Sequence, residues 1–128
     1  MHLLLDTHVL LWAAGMPERL SSEATALIQD PCNRLLFSAA SLWEITIKQE
    51  LGRSDFRVDA AVLRRGLIEN GYDELSIDGK HALAVSQLPH IHKDPFDRIL
   101  AAQAAYEGVL LLTADETLAR YPCPIRLV

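Results

Sequence analysis

His2-Leu3-Leu4-Leu5-Asp6, near the start of the chain, is a short aliphatic run that ends at a carboxylate. Val109-Leu110-Leu111-Leu112 repeats the pattern late in the sequence, and Asp115 follows it by three residues. Continuous apolar runs of this length are typical of strands that are buried on both faces in a parallel sheet covered by helices. The two runs therefore predict two strands of an α/β domain.

The rest of the chain alternates between helical patterns and short apolar strand patterns. This alternation predicts an α/β fold with a mostly parallel sheet. The predicted helices cover residues 7–14, 21–30, 41–51, 59–70, 78–88 and 95–107. The remaining predicted strands cover residues 34–37, 73–77 and 125–128.

Length and composition predict a single domain over residues 1–128, because a chain of this size can bury one adequate core. Half of the residues are hydrophobic and 23% are charged, as in ordinary globular proteins. No apolar run approaches the roughly 20 residues of a membrane span, and the first residues lack a signal-peptide pattern. We therefore expect a cytoplasmic protein without a membrane partner. Cys32 and Cys123 have no Cys-x-x-Cys spacing and are expected to be reduced thiols.

Two acidic residues follow the predicted central strands. Asp6 comes directly after the first strand, and Asp115 comes shortly after the late one. In open parallel sheets, ligands bind beyond the carboxyl ends of the strands, so both carboxylates are expected at one functional edge. A single Asp after a strand also serves as a helix cap or turn former, and this structural interpretation stays open for each residue alone.

Glu44 has both a structural and a functional interpretation. Ser41-Leu42-Trp43-Glu44 has the spacing of a capping box, in which the glutamate accepts a hydrogen bond from the N-cap backbone. On a helical wheel, however, Glu44 lies beside Ile47 and Leu51, at the border of the apolar stripe. A carboxylate in that position needs a cation or several hydrogen-bond donors.

Asp94-Pro95-Phe96-Asp97 is typical of a helix start, with Asp at the N-cap and Pro at the first helical position. Capping accounts well for Asp94 and less well for Asp97, because one capping carboxylate is sufficient. The helix dipole keeps both carboxylates ionised, which a site for a hard cation requires. The four acid-bearing segments can meet at one sheet edge, and their coincidence favours a site over four separate structural roles.

The net charge of −5 argues against a broad basic surface that binds nucleic acid without selectivity. The chain has 17 Asp and Glu against 12 Lys and Arg, and the excess equals the number of site carboxylates when Asp94 is included. Two bound Mg²⁺ ions would neutralise most of that excess. The charge balance is therefore compatible with a local cation site on a protein that is otherwise close to neutral.

Four stretches of the sequence together resemble PIN-domain nucleases, and more closely the VapC-type toxins of bacterial toxin–antitoxin pairs. The resemblance extends over nearly the whole chain. It rests on Leu3-Leu4-Leu5-Asp6-Thr7-His8, on Ser38-Ala39-Ala40-Ser41-Leu42-Trp43-Glu44-Ile45 with Lys48, on residues 92–104 (HKDPFDRILAAQA), and on Leu112-Thr113-Ala114-Asp115.

The resemblance implies a three-layer α/β/α fold, Mg²⁺ as cofactor with Mn²⁺ as a substitute, and endonucleolytic cleavage of RNA by metal-activated water. Asp6 and Asp97 would be the principal metal ligands, and Glu44 and Asp115 would complete the catalytic acidic set. Thr113 would support it by hydrogen bonding, and a direct role for Asp94 is left open. The resemblance also implies a homodimer and a cognate antitoxin.

RNA binding requires cations, and several are candidates. We prefer Arg53 and Arg57, which follow the Glu44 helix, and include Lys48. The further candidates are Arg64, Arg65 and Arg98.

Three alternatives to a metal-dependent nuclease are distinguishable. His90 and His92 would form an acid–base pair in a metal-independent ribonuclease, which would remain active in EDTA. A phospho-acceptor domain fits poorly, because this chain has one Asp after its first strand and no Lys after the late strand. A catalytically inactive PIN module would act only as a binding partner.

Overall fold

A five-stranded parallel sheet organises the protein in a computed structural model that describes residues 1–52 and 57–128. The strands in chain order are β1 (His2–Leu5), β2 (Arg34–Ser38), β3 (Asp73–Leu75), β4 (Leu110–Thr113) and β5 (Ile125–Leu127). Their order in space is β3-β2-β1-β4-β5, and every pair is parallel. The two aliphatic runs therefore lie side by side as β1 and β4, which confirms the predicted α/β class.

Helices connect the strands and cover both faces of the sheet. They are α1 (Thr7–Gly15), α2 (Ser22–Gln29), α3 (Ala39–Glu50), α4 (Ala60–Glu69), α5 (Gly79–Ala84) and α6 (Pro95–Glu107). Gly108 ends α6 in the left-handed conformation (φ 68°), which favours glycine. Among the described residues, no helix is long and apolar enough to cross a membrane.

Three predicted boundaries differ from the structure by two residues or more. The third helix begins at Ala39 and not at Ser41, because Ser38 at the end of β2 caps it directly. The strand predicted to reach residue 77 ends at Leu75, where its neighbour β2 also ends. The helix predicted to reach residue 88 ends at Ala84 and continues as a 3₁₀ turn.

The core has two parts, one on each face of the sheet, because alternate residues of a strand point to opposite faces. Leu3 and Leu5 of β1 belong to one cluster together with buried residues of α1 and α4. Leu4 belongs to the other cluster with Leu100 of α6 and Leu111 of β4. This arrangement gives the three-layer α/β/α architecture.

A buried polar link fixes α6 against the β2–α3 junction. The Ser38 hydroxyl donates to Gln103 Oε1 at 2.6 Å, and Gln103 Nε2 donates to the Ser76 carbonyl at 3.3 Å. Ser38 and Gln103 are fully buried. The link joins the helix that carries Glu44 to the helix that carries Asp97.

Candidate metal centre

Asp6, Glu44 and Asp115 follow the carboxyl ends of β1, β2 and β4, and Asp97 lies in the first turn of α6. We call these four residues the carboxylate cluster. Their charges act on one another, because Asp6 and Glu44 both raise the pKa of Asp97 and Glu44 also raises that of Asp6. The structure therefore brings together residues that are separated by up to 109 positions in the sequence.

Asp6 is buried and fixed by two donors. It caps α1, where its Oδ1 accepts the Val9 N–H at 2.9 Å, and its Oδ2 accepts the Thr113 hydroxyl at 2.5 Å. Thr113 Oγ1 in turn accepts the Asp115 N–H at 3.0 Å. Burial still raises the pKa of Asp6, because it outweighs the hydrogen bonds from Thr113 and Val9.

Glu44 is not part of a capping box, so that interpretation of the sequence was wrong. The N-cap of α3 is Ser38, whose hydroxyl accepts the Ala40 N–H, and Glu44 therefore lies in the second turn. Its side chain is only 3% exposed. The Thr7 hydroxyl donates to Oε1 at 2.6 Å, and Lys48 Nζ pairs with Oε2 at 2.5 Å.

Asp94 and Asp97 have different surroundings although both lie at the start of α6. Asp94 is the N-cap, and its Oδ1 accepts the backbone N–H groups of Phe96 at 2.8 Å and Asp97 at 3.4 Å. The side chain of Asp97 is 16% exposed and lies within ion-pair distance of His92. Burial, together with the charges of Asp94, Asp6 and Glu44, raises the pKa of Asp97 to about 7. An additional positive charge is therefore favourable at this position.

Asp115 is the most exposed member of the cluster and behaves differently. Partial burial tends to raise its pKa, but hydrogen bonds from His92, Leu118 and Thr117 outweigh burial and lower it. Asp115 therefore ionises more readily than an ordinary aspartate, whereas Asp97 ionises only near pH 7, because burial and the neighbouring charges outweigh the helix dipole that was expected to keep it ionised.

His92 contacts two carboxylates of this site, a position that the sequence did not predict. Its Nε2 lies 3.0 Å from Asp115 Oδ2 and 3.1 Å from Asp97 Oδ2. The sequence predicts a role for His92 only together with His90, which is exposed. The spacing His92-x-Asp94-x-x-Asp97 was visible in the sequence, but a histidine in a loop is by itself a weak signal.

The cations that were expected to bind RNA have different surroundings: some have partners within the protein and others are exposed. Lys48 pairs with Glu44, and Arg64 pairs with Glu74 at 2.6 Å. Arg98 donates to the carbonyls of Pro89 and Val85 and to the Tyr121 hydroxyl, so its observed contacts hold a loop. Arg57 is exposed before α4, Arg65 is exposed on α4, and Arg53 lies outside the described residues.

The donor set fits a hard divalent cation. One ligand atom each of His92, Asp97 and Asp115 lies within 4.8 Å of the others, and carboxylate oxygens are the ligands that Mg²⁺ and Mn²⁺ prefer. The raised pKa of Asp97 supports the same conclusion, because a bound cation would relieve the repulsion between neighbouring carboxylates.

Comparisons with known proteins show which family the chain resembles. The PIN domain family model matches residues 3–122. Ribonuclease VapC22 of Mycobacterium tuberculosis is 30% identical over 124 residues, which are 95% of each chain.

Solved structures share the fold at low sequence identity. A chain of the VapBC2 structure from Rickettsia felis, bound to a DNA fragment from their promoter, superposes with a TM-score of 0.74 at 13% identity, covering 100% of this chain and 99% of that one. A chain of a toxin–antitoxin complex from Klebsiella pneumoniae gives 0.62 at 17% identity, covering 96% and 94%. From the family model and the curated relative together, the chain belongs to the PIN-domain family and is of the VapC type.

Proposed function

We propose that this protein is a Mg²⁺-dependent endoribonuclease and the toxin of a toxin–antitoxin pair. The observation that carries the proposal is the crowding of carboxylates around Asp97, whose pKa is raised to about 7 by burial and three neighbouring charges. A group in that environment is typical of a functional site. The relative that is 30% identical is named a ribonuclease, which supports RNA as the substrate.

The roles we assign follow from the hydrogen bonds of each carboxylate. Asp6 and Asp97 would be the principal metal ligands, with Asp115 beside them. Glu44 already accepts from Thr7 and Lys48, so its part is to complete the negative charge of the site. Thr113 holds Asp6 in orientation through its hydroxyl. A direct metal role for Asp94 is not needed, because it caps α6.

A bound divalent cation supplies Lewis acidity, which acidifies water and neutralises charge on the phosphate. The chain's own part is to hold oxygen ligands in place: α1 and Thr113 fix Asp6, and the start of α6 fixes Asp97. With water as the nucleophile, we expect products with a 5′-phosphate and a 3′-hydroxyl.

The partner of the proposed toxin would be an antitoxin protein, and a homodimer is part of the same proposal. A chain of a solved toxin–antitoxin complex shares the fold, which supports the first partner. A largely apolar hollow of about 600 Å³ between α1 and α4, lined by Leu11, Val58, Val62 and Leu67 among others, offers a surface for it. Val62→Glu should then weaken co-purification with a protein encoded beside this gene.

The experiment that tests the nuclease is cleavage of RNA by the purified protein with Mg²⁺, with EDTA, and in the Asp97→Asn and Asp94→Asn variants. Asparagine caps helices as well as aspartate does, so Asp94→Asn is a matched control for the start of α6. We expect activity in the wild type and in Asp94→Asn, and none in EDTA or Asp97→Asn.

Two other outcomes would replace the proposal. Activity that persists in EDTA would favour the metal-independent pair of His90 and His92. RNA binding without cleavage at any metal concentration would indicate an inactive PIN module.

A further inference from the structure

The loop before α6 carries His92, whose ring contacts three separate groups. Nδ1 lies 3.1 Å from the backbone nitrogen of Asp94, and Nε2 lies within 3.1 Å of both Asp97 Oδ2 and Asp115 Oδ2. Asp97 belongs to α6, while Asp115 follows β4. One ring atom therefore joins two carboxylates that come from different elements.

The contact with Asp94 determines which ring nitrogen of His92 carries the proton. A backbone N–H can only donate, so Nδ1 must be the acceptor of that hydrogen bond. The ring proton is then on Nε2, which donates to Asp115 Oδ2 at 3.0 Å and lies 3.1 Å from Asp97 Oδ2. His92 is thus a hydrogen-bond donor to Asp115 and a close polar neighbour of Asp97.

The backbone of His92 is fixed independently of the carboxylates. Its N–H donates to the Tyr121 hydroxyl at 2.9 Å, and that hydroxyl donates back to the His92 carbonyl at 3.3 Å. Tyr121 is buried and also accepts from Arg98 at 3.0 Å. Arg98 further donates to the carbonyl of Pro89 in the same loop. The ring is therefore held in place by the scaffold of the loop.

We propose that His92 is a positioning residue of the carboxylate cluster: its Nε2–H donates to Asp115 and lies beside Asp97, and it so sets how the oxygens of both carboxylates face a divalent cation. An ionised carboxylate has about four acceptor sites, so the contact of one oxygen with His92 leaves room for the metal. The inference rests on the proposed function, since it assumes that the cluster binds a cation.

Direct ligation of the metal by His92 is the competing role for the same ring. The spacing alone would permit it, because the three ligand atoms lie within 4.8 Å of one another. Ligation through Nε2 would, however, move the ring proton to Nδ1, where it would face the Asp94 N–H. That hydrogen bond would be lost, so the structure favours the donor role.

Two substitutions of His92 test the donor at Nε2 and the acceptor at Nδ1 separately. In His92→Gln, the amide nitrogen lies close to the position of Nε2 and can still donate to the carboxylates. In His92→Asn, the shorter amide can still accept from the Asp94 N–H, but it cannot reach Asp97 and Asp115. Each variant therefore keeps one hydrogen-bond group of the ring: His92→Gln keeps the donor that the proposal requires, and His92→Asn keeps only the acceptor for the Asp94 N–H.

The experiment is calorimetric titration of the metal-free, full-length protein with Mn²⁺, with thermal unfolding as a check that each variant is folded. We expect His92→Asn to bind Mn²⁺ about 10- to 100-fold more weakly, which is typical when a partner of a metal ligand is removed. We expect His92→Gln to bind close to the wild-type affinity.

Three results would overturn the inference. The first is wild-type affinity in His92→Asn, and the second is equal weakening in both variants. The third is a ¹⁴N coupling to bound Mn²⁺ in the wild type that disappears in His92→Gln, since it would identify a ligand. Absence of Mn²⁺ binding by the wild type would overturn the proposed function as well, so the two failures are distinguishable.

Discussion

The acidic residues at the β3 edge of the sheet and those of the carboxylate cluster differ in exposure and in the charge of their neighbours. At the β3 edge, Asp73 pairs with Arg34 at 2.7 Å and Glu74 pairs with Arg64 at 2.6 Å, all of them partly exposed. In the cluster, Asp6 and Asp97 are buried or nearly so, and their pKa values are raised by burial and by other carboxylates. The exposed acids at the β3 edge have cationic partners and need no further explanation. The buried carboxylates around Asp97 raise one another's pKa, which supports the proposed cation site.

The largest expected difference between the two regions is in RNA cleavage. Asp6→Asn keeps an oxygen that can cap α1, but it removes one negative charge and the second oxygen, which accepts from Thr113, so we expect activity to fall by about 10²–10⁴-fold. Asp73→Asn removes a negative charge from the other region and should leave the rate unchanged. Initial rates on one RNA substrate check both, and equal effects would contradict the distinction.

Metal binding should stabilise the protein through the cluster alone. At a Mn²⁺ concentration of 100 times Kd, the free energy of unfolding should rise by about 2.7 kcal/mol in the wild type and in Asp73→Asn. Asp97→Asn should show little of this increase. Chemical denaturation with and without Mn²⁺ measures it, and a full increase in Asp97→Asn would place the ion elsewhere.

Asp97 should contribute to the pH dependence of stability with a sign opposite to that of an aspartate whose pKa is lowered by a cationic partner. Asp97 has a folded pKa of about 7 against 3.8 for an ordinary aspartate, so the folded state holds its proton over a range in which the unfolded state has lost it. In the metal-free protein, this group makes the free energy of unfolding fall between about pH 4 and 7, by at most about 1.4 kcal/mol per unit, and level off above.

Urea unfolding of the metal-free wild type and of Asp97→Asn between pH 5 and 8 tests this dependence. Above pH 7, Asp97→Asn should be the more stable protein, because it lacks the repelled charge. A wild-type stability that rises with pH over the same range would contradict the raised pKa.

The smallest expected effect concerns the pairs at the β3 edge. Glu74→Gln removes the partner of Arg64, and exposed ion pairs contribute about 0–1 kcal/mol to stability. We expect the free energy of unfolding to change by no more than this, with unchanged Mn²⁺ affinity. A larger loss would show that the two regions are less different than their contacts indicate.

The sequence predicted the central features of the fold because they depend on local patterns. Two aliphatic runs identified β1 and β4, and the Asp94-Pro95 start and Gly108 end predicted α6 at its observed limits. The start of α3 was misplaced because Ser38 and Ser41 are both acceptable caps, and only the end of β2 decides between them. The position of the cap therefore depends on tertiary structure, and it excludes Glu44 from a capping box.

The side-chain partners could not be read from the sequence. The positions of the acids followed from the rule that strand ends share one edge, but the pairing of Lys48 with Glu44 and the contacts of His92 depend on orientation. Arg98 illustrates the same limit: a cation expected to bind RNA instead donates to the loop that carries His92. No residue pattern distinguishes those two uses of an arginine.

The most direct measurement is the anomalous diffraction of crystals soaked in Mn²⁺. A peak within coordination distance of carboxylate oxygens of Asp6 and Asp97, with Asp115 beside it, is the result we predict. Well-diffracting soaked crystals with no peak at these residues, or with an ion bound only at Asp73 and Glu74, would contradict the account.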